Sequence, residues 1–159
     1  PGQPGEAVYR SPMITQGYYR DPEATAEAFA GGWFHSGDSC AYVDDGSQIM
    51  VDRLKDIVKS GGENVSSIRV EGVISGHPEV ARVAVVGLPD ERWGERVTAV
   101  VIRKPGSQVT EEEIIRYARE RLAGFETPKQ VVFVEEFPET VGGKVRKHVL
   151  RAQLSQSAH

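Results

Sequence analysis

The chain has 159 residues, of which 39% are hydrophobic, so it can bury one core with extra sequence attached. Its 19 basic and 23 acidic residues give a net charge of −4, which excludes a global positive field for nucleic acid or an anionic membrane. The single Cys40 excludes an internal disulfide framework, and no apolar run approaches the roughly 20 residues of a transmembrane helix. We expect a cytoplasmic protein, and the loop-like residues 1–5 indicate that position 1 is not a natural start.

The first third of the chain has few core signals and is rich in glycine, proline and turn residues. A short helix is predicted there, because Asp21 can cap it and Pro22 suits its first position. Gly31 and Gly32 would end this helix. We interpret the whole segment as the edge of another domain, and expect it to pack on the remainder of the chain or on a second copy.

Short extended pieces follow a turn at residues 44–46. Residues 48–51 and 54–59 have the composition of strands, and Gly61 and Gly62 bound the second piece. We place a domain boundary between Asp52 and Asp56, where the composition changes.

The second part of the chain alternates predicted strands and helices. Residues 83–86, 97–102 and 131–134 are β-branched runs of strand length. The order of elements predicts an α+β fold with a small sheet of about three strands plus a short hairpin, covered by helices.

Three helices are predicted around this sheet. Ser67 can cap the first, and Thr110 with Glu113 forms a capping box for the second, whose apolar face includes Leu122. Apolar residues between positions 145 and 154 recur at helical spacing among basic ones, so the chain ends in a basic amphipathic helix. Residues 155–159 are expected to be frayed.

Several common kinds of catalytic site find no support in the sequence. The four histidines, at positions 35, 77, 148 and 159, lack metal-ligand spacing with each other or with Cys40, so no metal site is predicted. A nucleophile elbow is absent, and Gly142-Gly143-Lys144 lacks the Ser/Thr and the upstream glycine of a Walker loop. Metal hydrolase, serine hydrolase and P-loop interpretations are therefore all disfavoured.

Four motifs nevertheless stand in one order: residues 32–38 (GWFHSGD), 52–56 (DRLKD), 60–65 (SGGENV) and 138–144 (PETVGGK). This series resembles the adenylate-forming superfamily of acyl-CoA synthetases, peptide-synthetase adenylation domains and firefly-type luciferases. The resemblance implies that residues 1–52 are the tail of a large domain, 53–56 a hinge and 57–159 a small mobile domain. It also implies ATP, CoA and a carboxylic acid as substrates, with Mg²⁺ reaching the site through ATP phosphates held by the large domain.

The resemblance assigns two residues to the adenylate. Asp38 matches an aspartate that accepts hydrogen bonds from both ribose hydroxyls, and Arg53 matches an arginine that contacts the ribose near the domain junction. From the residues alone, Asp38 could instead satisfy its own turn. Arg53 could likewise form a surface pair with Asp52 or Asp56.

Further positions match the hinge and the path of the CoA thiol arm. Lys55 aligns with the hinge residue, where an exposed polar side chain tolerates a large backbone rotation. Gly61 and Gly62 resemble glycines along which pantetheine passes, and a tight hairpin turn is the alternative. Lys59 either faces the active site in this second orientation or is an ordinary strand-edge lysine.

Lys144 is the candidate catalytic residue. Its ammonium can bridge the attacking carboxylate and the α-phosphate, and the preceding glycines would free the loop to enter a crowded site. A solvated lysine before a basic helix is the alternative. Glu139 departs from the family pattern, which usually has Lys or Arg at that position.

The adenosine end of CoA is assigned to Trp93, Phe125 and Lys129. Aromatic faces can stack on adenine, and a lysine can meet the 3′-phosphate. Glu126 and Thr127 replace more basic residues of the relatives, so packing in the core or on the surface remains an alternative for all three.

The leading functional hypothesis is therefore part of an ATP-dependent acyl-CoA ligase. A fatty acid is the favoured substrate, and the 159-residue chain alone is expected to be inactive. An adenylation domain that loads a carrier protein and a non-catalytic nucleotide-binding or interaction module are the alternatives. A homodimer is also considered.

Overall fold

A computed structural model describes residues 2–156 of the chain. These residues divide into two compact units between Lys55 and Asp56, and each unit has its own β-sheet. Within the described range, no helix is long and apolar enough to cross a membrane.

The first unit is a three-stranded antiparallel sheet with one short helix. Its strands β1 (Gly5–Tyr9), β2 (Phe34–Tyr42) and β3 (Gln48–Arg53) lie in the order β1-β2-β3. Helix α1 (Pro22–Ala28) starts as predicted, because Asp21 Oδ1 accepts a hydrogen bond from Ala24 N at 2.9 Å. A short 3₁₀ helix, Ala30–Gly32, follows it.

Strands β1 and β2 were not predicted, and their burial pattern explains why. Ala7 is the buried residue of β1, while Ser39 and Ala41 are the buried residues of β2. Small side chains of this kind give no apolar alternation in the sequence, although the backbone still pairs in a regular ladder.

The second unit contains a five-stranded sheet of β4 (Val58–Ser60), β5 (Glu63–Val65), β6 (Val80–Asp90), β7 (Gly94–Arg103) and β8 (Gln130–Phe133). Strand β6 runs antiparallel along one edge of β7. Since a strand has two edges, β4 and the parallel strand β8 share the other one. The predicted extended piece 54–59 is partly wrong, because Leu54–Asp56 form a 3₁₀ helix that turns the chain before β4.

Helices cover both faces of this sheet, which confirms the α+β prediction. Helices α2 (Ser67–Ser75) and α3 (Glu111–Arg119) pack over Val85, Val97 and the other members of one core cluster. Helix α4 (Lys147–Gln156) packs with Leu150 over the opposite face, which includes Val86 and Val100. Neighbouring residues of β6 thus face opposite cores, as the side-chain alternation of a strand requires, and this explains the unbroken apolar runs.

The helix ends agree with the predictions only in part. The capping box of Thr110 and Glu113 is present. Ser66, not Ser67, caps α2, since its hydroxyl accepts from Arg69 N. Leu122 is buried but follows the end of α3, where the chain has already left the helix. The predicted fraying is wrong for residues 155 and 156, which belong to α4, and residues 157–159 lie outside the described part.

Candidate functional site

A cleft of about 160 Å³ in the second unit brings together residues that are far apart in sequence. Its lining residues are Ser60, Gly61, Trp93, Gly124, Phe125 and Lys129. Gly61, Trp93, Phe125 and Lys129 were predicted separately as CoA contacts. Gly62 and Lys59, which were assigned to the same ligand, are not among its lining residues.

The floor of the cleft depends on a glycine turn beside Trp93. Gly61 and Gly62 connect β4 to β5 with φ values of 61° and 86°, so the predicted tight hairpin turn is present. Gly61 N donates to Trp93 O at 2.8 Å. A Cβ on Gly61 would lie 3.0 Å from Trp93 Cε3, so only glycine allows the indole to approach this closely.

Lys129 supplies the positive charge of the cleft. Its Nζ lies 5.5 Å from the centroid of the Trp93 ring and donates to Gly124 O at 2.7 Å. Burial, and secondarily the nearby Arg119 guanidinium, lowers the pKa of Lys129. A ligand phosphate at this point would counter both effects, because an opposite charge favours the protonated ammonium.

Glu126 holds the wall of the cleft, a role that the sequence did not reveal. Its buried carboxylate accepts a hydrogen bond from Arg69 Nε at 2.8 Å and another from Ala123 N at 3.0 Å. These contacts fix the turn that contains Gly124 and Phe125. The replacement of a basic residue at this position therefore has a structural explanation.

Glu95 is a second residue that sequence reasoning missed. Its Oε2 accepts a hydrogen bond from Lys59 N at 2.8 Å, and β4 otherwise pairs with β7 only through Ser60 and Gly94. Both this contact and the Arg69 contact of Glu126 join residues that are far apart in the sequence. Sequence spacing therefore could not predict them. Lys59 itself is exposed on β4.

Asp38 and Arg53 face each other across the sheet of the first unit. They are register partners in β2 and β3, and Arg53 Nε lies 3.3 Å from Asp38 Oδ1. Asp38 therefore belongs to a strand and not to the expected turn. The Arg53 guanidinium pairs with Asp38, while the Arg53 backbone N–H donates to Asp52 Oδ1 at 2.7 Å. Asp38 Oδ1 is buried and accepts no hydrogen bond, so the ion pair with Arg53 is the contact that offsets its charge.

Lys55 is exposed in the 3₁₀ helix Leu54–Asp56, at the division between the two units. Short 3₁₀ segments are common connectors between larger elements. The role of Lys55 as a hinge stays a prediction.

Lys144 lies in an exposed loop before α4. Thr140 N donates to Lys144 O, and Lys144 N in turn donates to Thr140 Oγ1 at 3.2 Å. Gly143 has a φ of 77° in this turn. Glu139 forms an ion pair with Arg82 of β6, so its departure from the family pattern serves to fix the loop to the sheet.

Residues 2–156 contain no group of three or more His, Cys, Asp and Glu side chains arranged to hold a metal ion.

Comparison with known proteins assigns the family. Residues 69–144 match the family model of the AMP-binding enzyme C-terminal domain. Residues 69–144 are an AMP-binding enzyme C-terminal domain.

Two curated relatives and one solved structure illustrate the similarity. The chain is 49% identical over 155 residues to 4-hydroxybutyrate–CoA ligase 2 of Metallosphaera sedula, and the aligned part is 98% of the chain and 28% of that ligase. It is 46% identical over 151 residues to a long-chain-fatty-acid–CoA ligase of Mycobacterium tuberculosis, and the aligned part is 95% of the chain and 30% of that ligase. The ATP-bound crystal structure of MatB from Rhodopseudomonas palustris matches with a TM-score of 0.90 and 35% identity, over 99% of the chain and 32% of MatB. The chain thus spans less than a third of these proteins.

The AMP-binding C-terminal domain, as matched, begins in α2 and ends at Lys144. It includes Trp93, Phe125 and Lys129, while Gly61 precedes it. Asp38, Arg53 and Lys55 lie outside the matched residues, so the assignment of their roles stays a prediction.

Proposed function

We propose that this chain forms the mobile C-terminal part of an ATP-dependent acid–CoA ligase. In the first half-reaction a carboxylate attacks the α-phosphate of ATP, giving acyl-adenylate and pyrophosphate. In the second half-reaction the CoA thiol attacks the acyl carbon, the thioester forms and AMP leaves. The observation that carries the proposal is the cleft in which Gly61, Trp93, Phe125 and Lys129 meet.

The chemistry of the cleft suits a portion of CoA. The rings of Trp93 and Phe125 offer faces for adenine, and the Lys129 ammonium offers a charge for a phosphate. Gly61, which has no side chain, lets the Trp93 ring pack closely against this turn. A volume of about 160 Å³ is below the roughly 300 Å³ of small ligand pockets, so the cleft would hold one part of CoA while the rest follows the surface.

The adenylate would be held by other residues of the chain. The buried Asp38 Oδ1 is ion-paired with Arg53 but accepts no hydrogen bond, and a ribose hydroxyl is a donor of the right kind. Arg53 would contact the same ribose, and Lys144 would offset charge on the carboxylate and α-phosphate during adenylation. Mg²⁺ would enter with the ATP phosphates, which we assign to a large domain joined to this chain.

The acid itself would bind to that large domain. The two curated relatives are named for acids as different as 4-hydroxybutyrate and long-chain fatty acids. A fatty acid remains our proposal for the substrate, and the cytoplasm our proposal for the location. We expect the 159-residue chain alone to turn over neither acid nor CoA.

The test uses the enzyme in which this chain is joined to its large domain. Trp93→Ala and Lys129→Ala should each raise KM for CoA about tenfold, since stacking or a phosphate contact contributes about 1–3 kcal/mol. Pyrophosphate release from acid and ATP should stay within about twofold. Lys104→Ala is the matched control, because Lys104 is exposed and outside the cleft.

The same assay separates the alternatives. Unchanged KM for CoA in both cleft variants would contradict the proposed role of the cleft. Transfer to a phosphopantetheinyl carrier protein, with no reaction with free CoA, would support the carrier-loading alternative. Binding of AMP or CoA without turnover by the joined enzyme would support a non-catalytic module.

A further inference from the structure

The segment that carries Lys144 is closed on itself. Within this segment, residues 138–146, Arg146 N donates to Pro138 O at 2.7 Å and Thr140 N donates to Lys144 O at 2.9 Å. Glu139 pairs with residue 145 in an antiparallel bridge between these two contacts. These contacts restrict the backbone on both sides of Lys144, although the loop contains two glycines. The position of the Lys144 side chain therefore depends on how the two ends of the loop are held.

Both ends of the loop are fixed by ion pairs to the body of the second unit. At the first end, Glu139 pairs with Arg82 of β6. Immediately after the second end, Lys147 Nζ lies 2.6 Å from Glu71 Oε1 of α2 and donates to Ser67 Oγ at 2.7 Å. Lys147 is also the first residue of α4, so one contact fixes the loop and the helix together.

The Lys147 pair is the stronger of the two. The side chains of Lys147 and Glu71 are 15% and 22% exposed, against 47% and 31% for Arg82 and Glu139. Glu71 Oε1 additionally accepts Val85 N at 2.7 Å, which ties the carboxylate to the backbone of β6. Solvent screens a partly buried, hydrogen-bonded pair less than an exposed one.

We propose that Lys147, through Glu71, is a positioning residue for Lys144 in the adenylate-forming half-reaction. This rests on the proposed function of Lys144. Lys147 is held by protein groups and is not assigned to a substrate, so it acts only through the loop that it fixes. Because α4 also packs through Leu150, which is 3% exposed, loss of the pair should loosen the loop without unfolding the unit.

The activity test again uses the enzyme with its large domain. Lys147→Met keeps the length of the side chain but removes its charge. We expect it to lower kcat for pyrophosphate release about 10- to 100-fold, the cost of a catalytic group displaced by about 1 Å, with KM for ATP little changed. Thioester formation from supplied acyl-adenylate should stay within about twofold, and Lys147→Arg should recover most of the lost rate.

Two further variants keep the result interpretable. Arg121→Ala removes an exposed ion pair with Glu120 and should change neither half-reaction. If Lys147→Met does not fold, Glu71→Gln replaces it, since the amide oxygen can still accept Val85 N while the charge is lost. Equal slowing of both half-reactions in a folded variant, or no slowing of either, would overturn the proposal.

Amide exchange provides a readout that does not depend on activity. In Lys147→Met the amides of Thr140, Gly143 and Arg146 should exchange faster, while those of β6 and β7 stay protected. Unchanged exchange in the loop would overturn the proposal even if adenylation slows. If the wild-type enzyme releases no pyrophosphate, the proposed function fails, and the exchange result still decides whether Lys147 fixes the loop.

Discussion

At Asp38, one carboxylate oxygen is buried and accepts no hydrogen bond, although Arg53 lies within reach of an ion pair. An unsatisfied buried acceptor costs about 1–3 kcal/mol, and the Arg53 ion pair already offsets part of that cost, so a hydroxyl that donates to this oxygen would gain less than the full amount. The residue types were identifiable from the sequence. Their pairing was not, because strand β2, which carries Asp38, gave no periodic signal.

Gly61 and Gly62 offer a matched pair of substitutions at the residue scale. Both have positive φ, so alanine at either position should destabilise the second unit by about 1–2 kcal/mol. A Cβ on Gly61 also meets Trp93, whereas a Cβ on Gly62 has nothing within 4 Å. Gly61→Ala should therefore cost more stability in urea unfolding, and it alone should raise KM for CoA. Equal effects of both variants on KM would contradict the importance of the Trp93 contact.

At the element scale, local signals were reliable where they involve neighbouring residues. The capping box of Thr110 and Glu113 and the apolar runs of β6, β7 and β8 follow directly from spacing and composition. Ser66 caps α2 in place of Ser67, and residue type does not distinguish two adjacent serines as caps. Long-range pairs such as Glu126 with Arg69 leave no such trace in the sequence.

The pairing of β1 with β2 should depend on pH through Glu6 and His35. His35 Nδ1 lies 2.8 Å from Glu6 Oε2. This hydrogen bond raises the pKa of His35 above 6.5 and lowers the pKa of Glu6 below 4.5. The histidine contribution is complete below pH 6.5 and is lost as pH rises through its raised pKa, while the Glu6 contribution is lost as pH falls through its lowered pKa.

The difference in urea midpoint between the wild type and His35→Gln should therefore be largest between pH 4.5 and 6.5 and shrink as pH rises through the raised pKa of His35. Trp33 fluorescence can report on the first unit when Trp93 is replaced by Phe, because the sequence has two tryptophans. A difference that stays constant across this range would show that the pair does not couple stability to pH.

At the scale of the whole molecule, the division between Lys55 and Asp56 coincides with the predicted hinge segment 53–56. The assignment of these units to domains of a ligase stays a prediction. Lys55→Pro tests it in the joined enzyme, because proline fixes φ near −65°, which a 3₁₀ helix allows and most other orientations do not.

Lys55→Pro should leave pyrophosphate release nearly unchanged and slow thioester formation at least tenfold, since only the second step requires rotation at the hinge. Lys55→Ala removes the same charge but keeps the backbone free, so it should resemble the wild type in both steps. Normal thioester formation in the proline variant would place the hinge elsewhere.

The central claim is that Lys144 acts in one half-reaction only. The decisive measurement compares pyrophosphate release with CoA consumption from supplied acyl-adenylate, for the wild type, Lys144→Ala and the exposed-lysine control Lys104→Ala, each shown to be folded. We predict that Lys144→Ala slows pyrophosphate release by about 100- to 1000-fold and leaves thioester formation within about twofold, as expected for a preorganised charge. Equal slowing of the two half-reactions in folded Lys144→Ala would contradict this account.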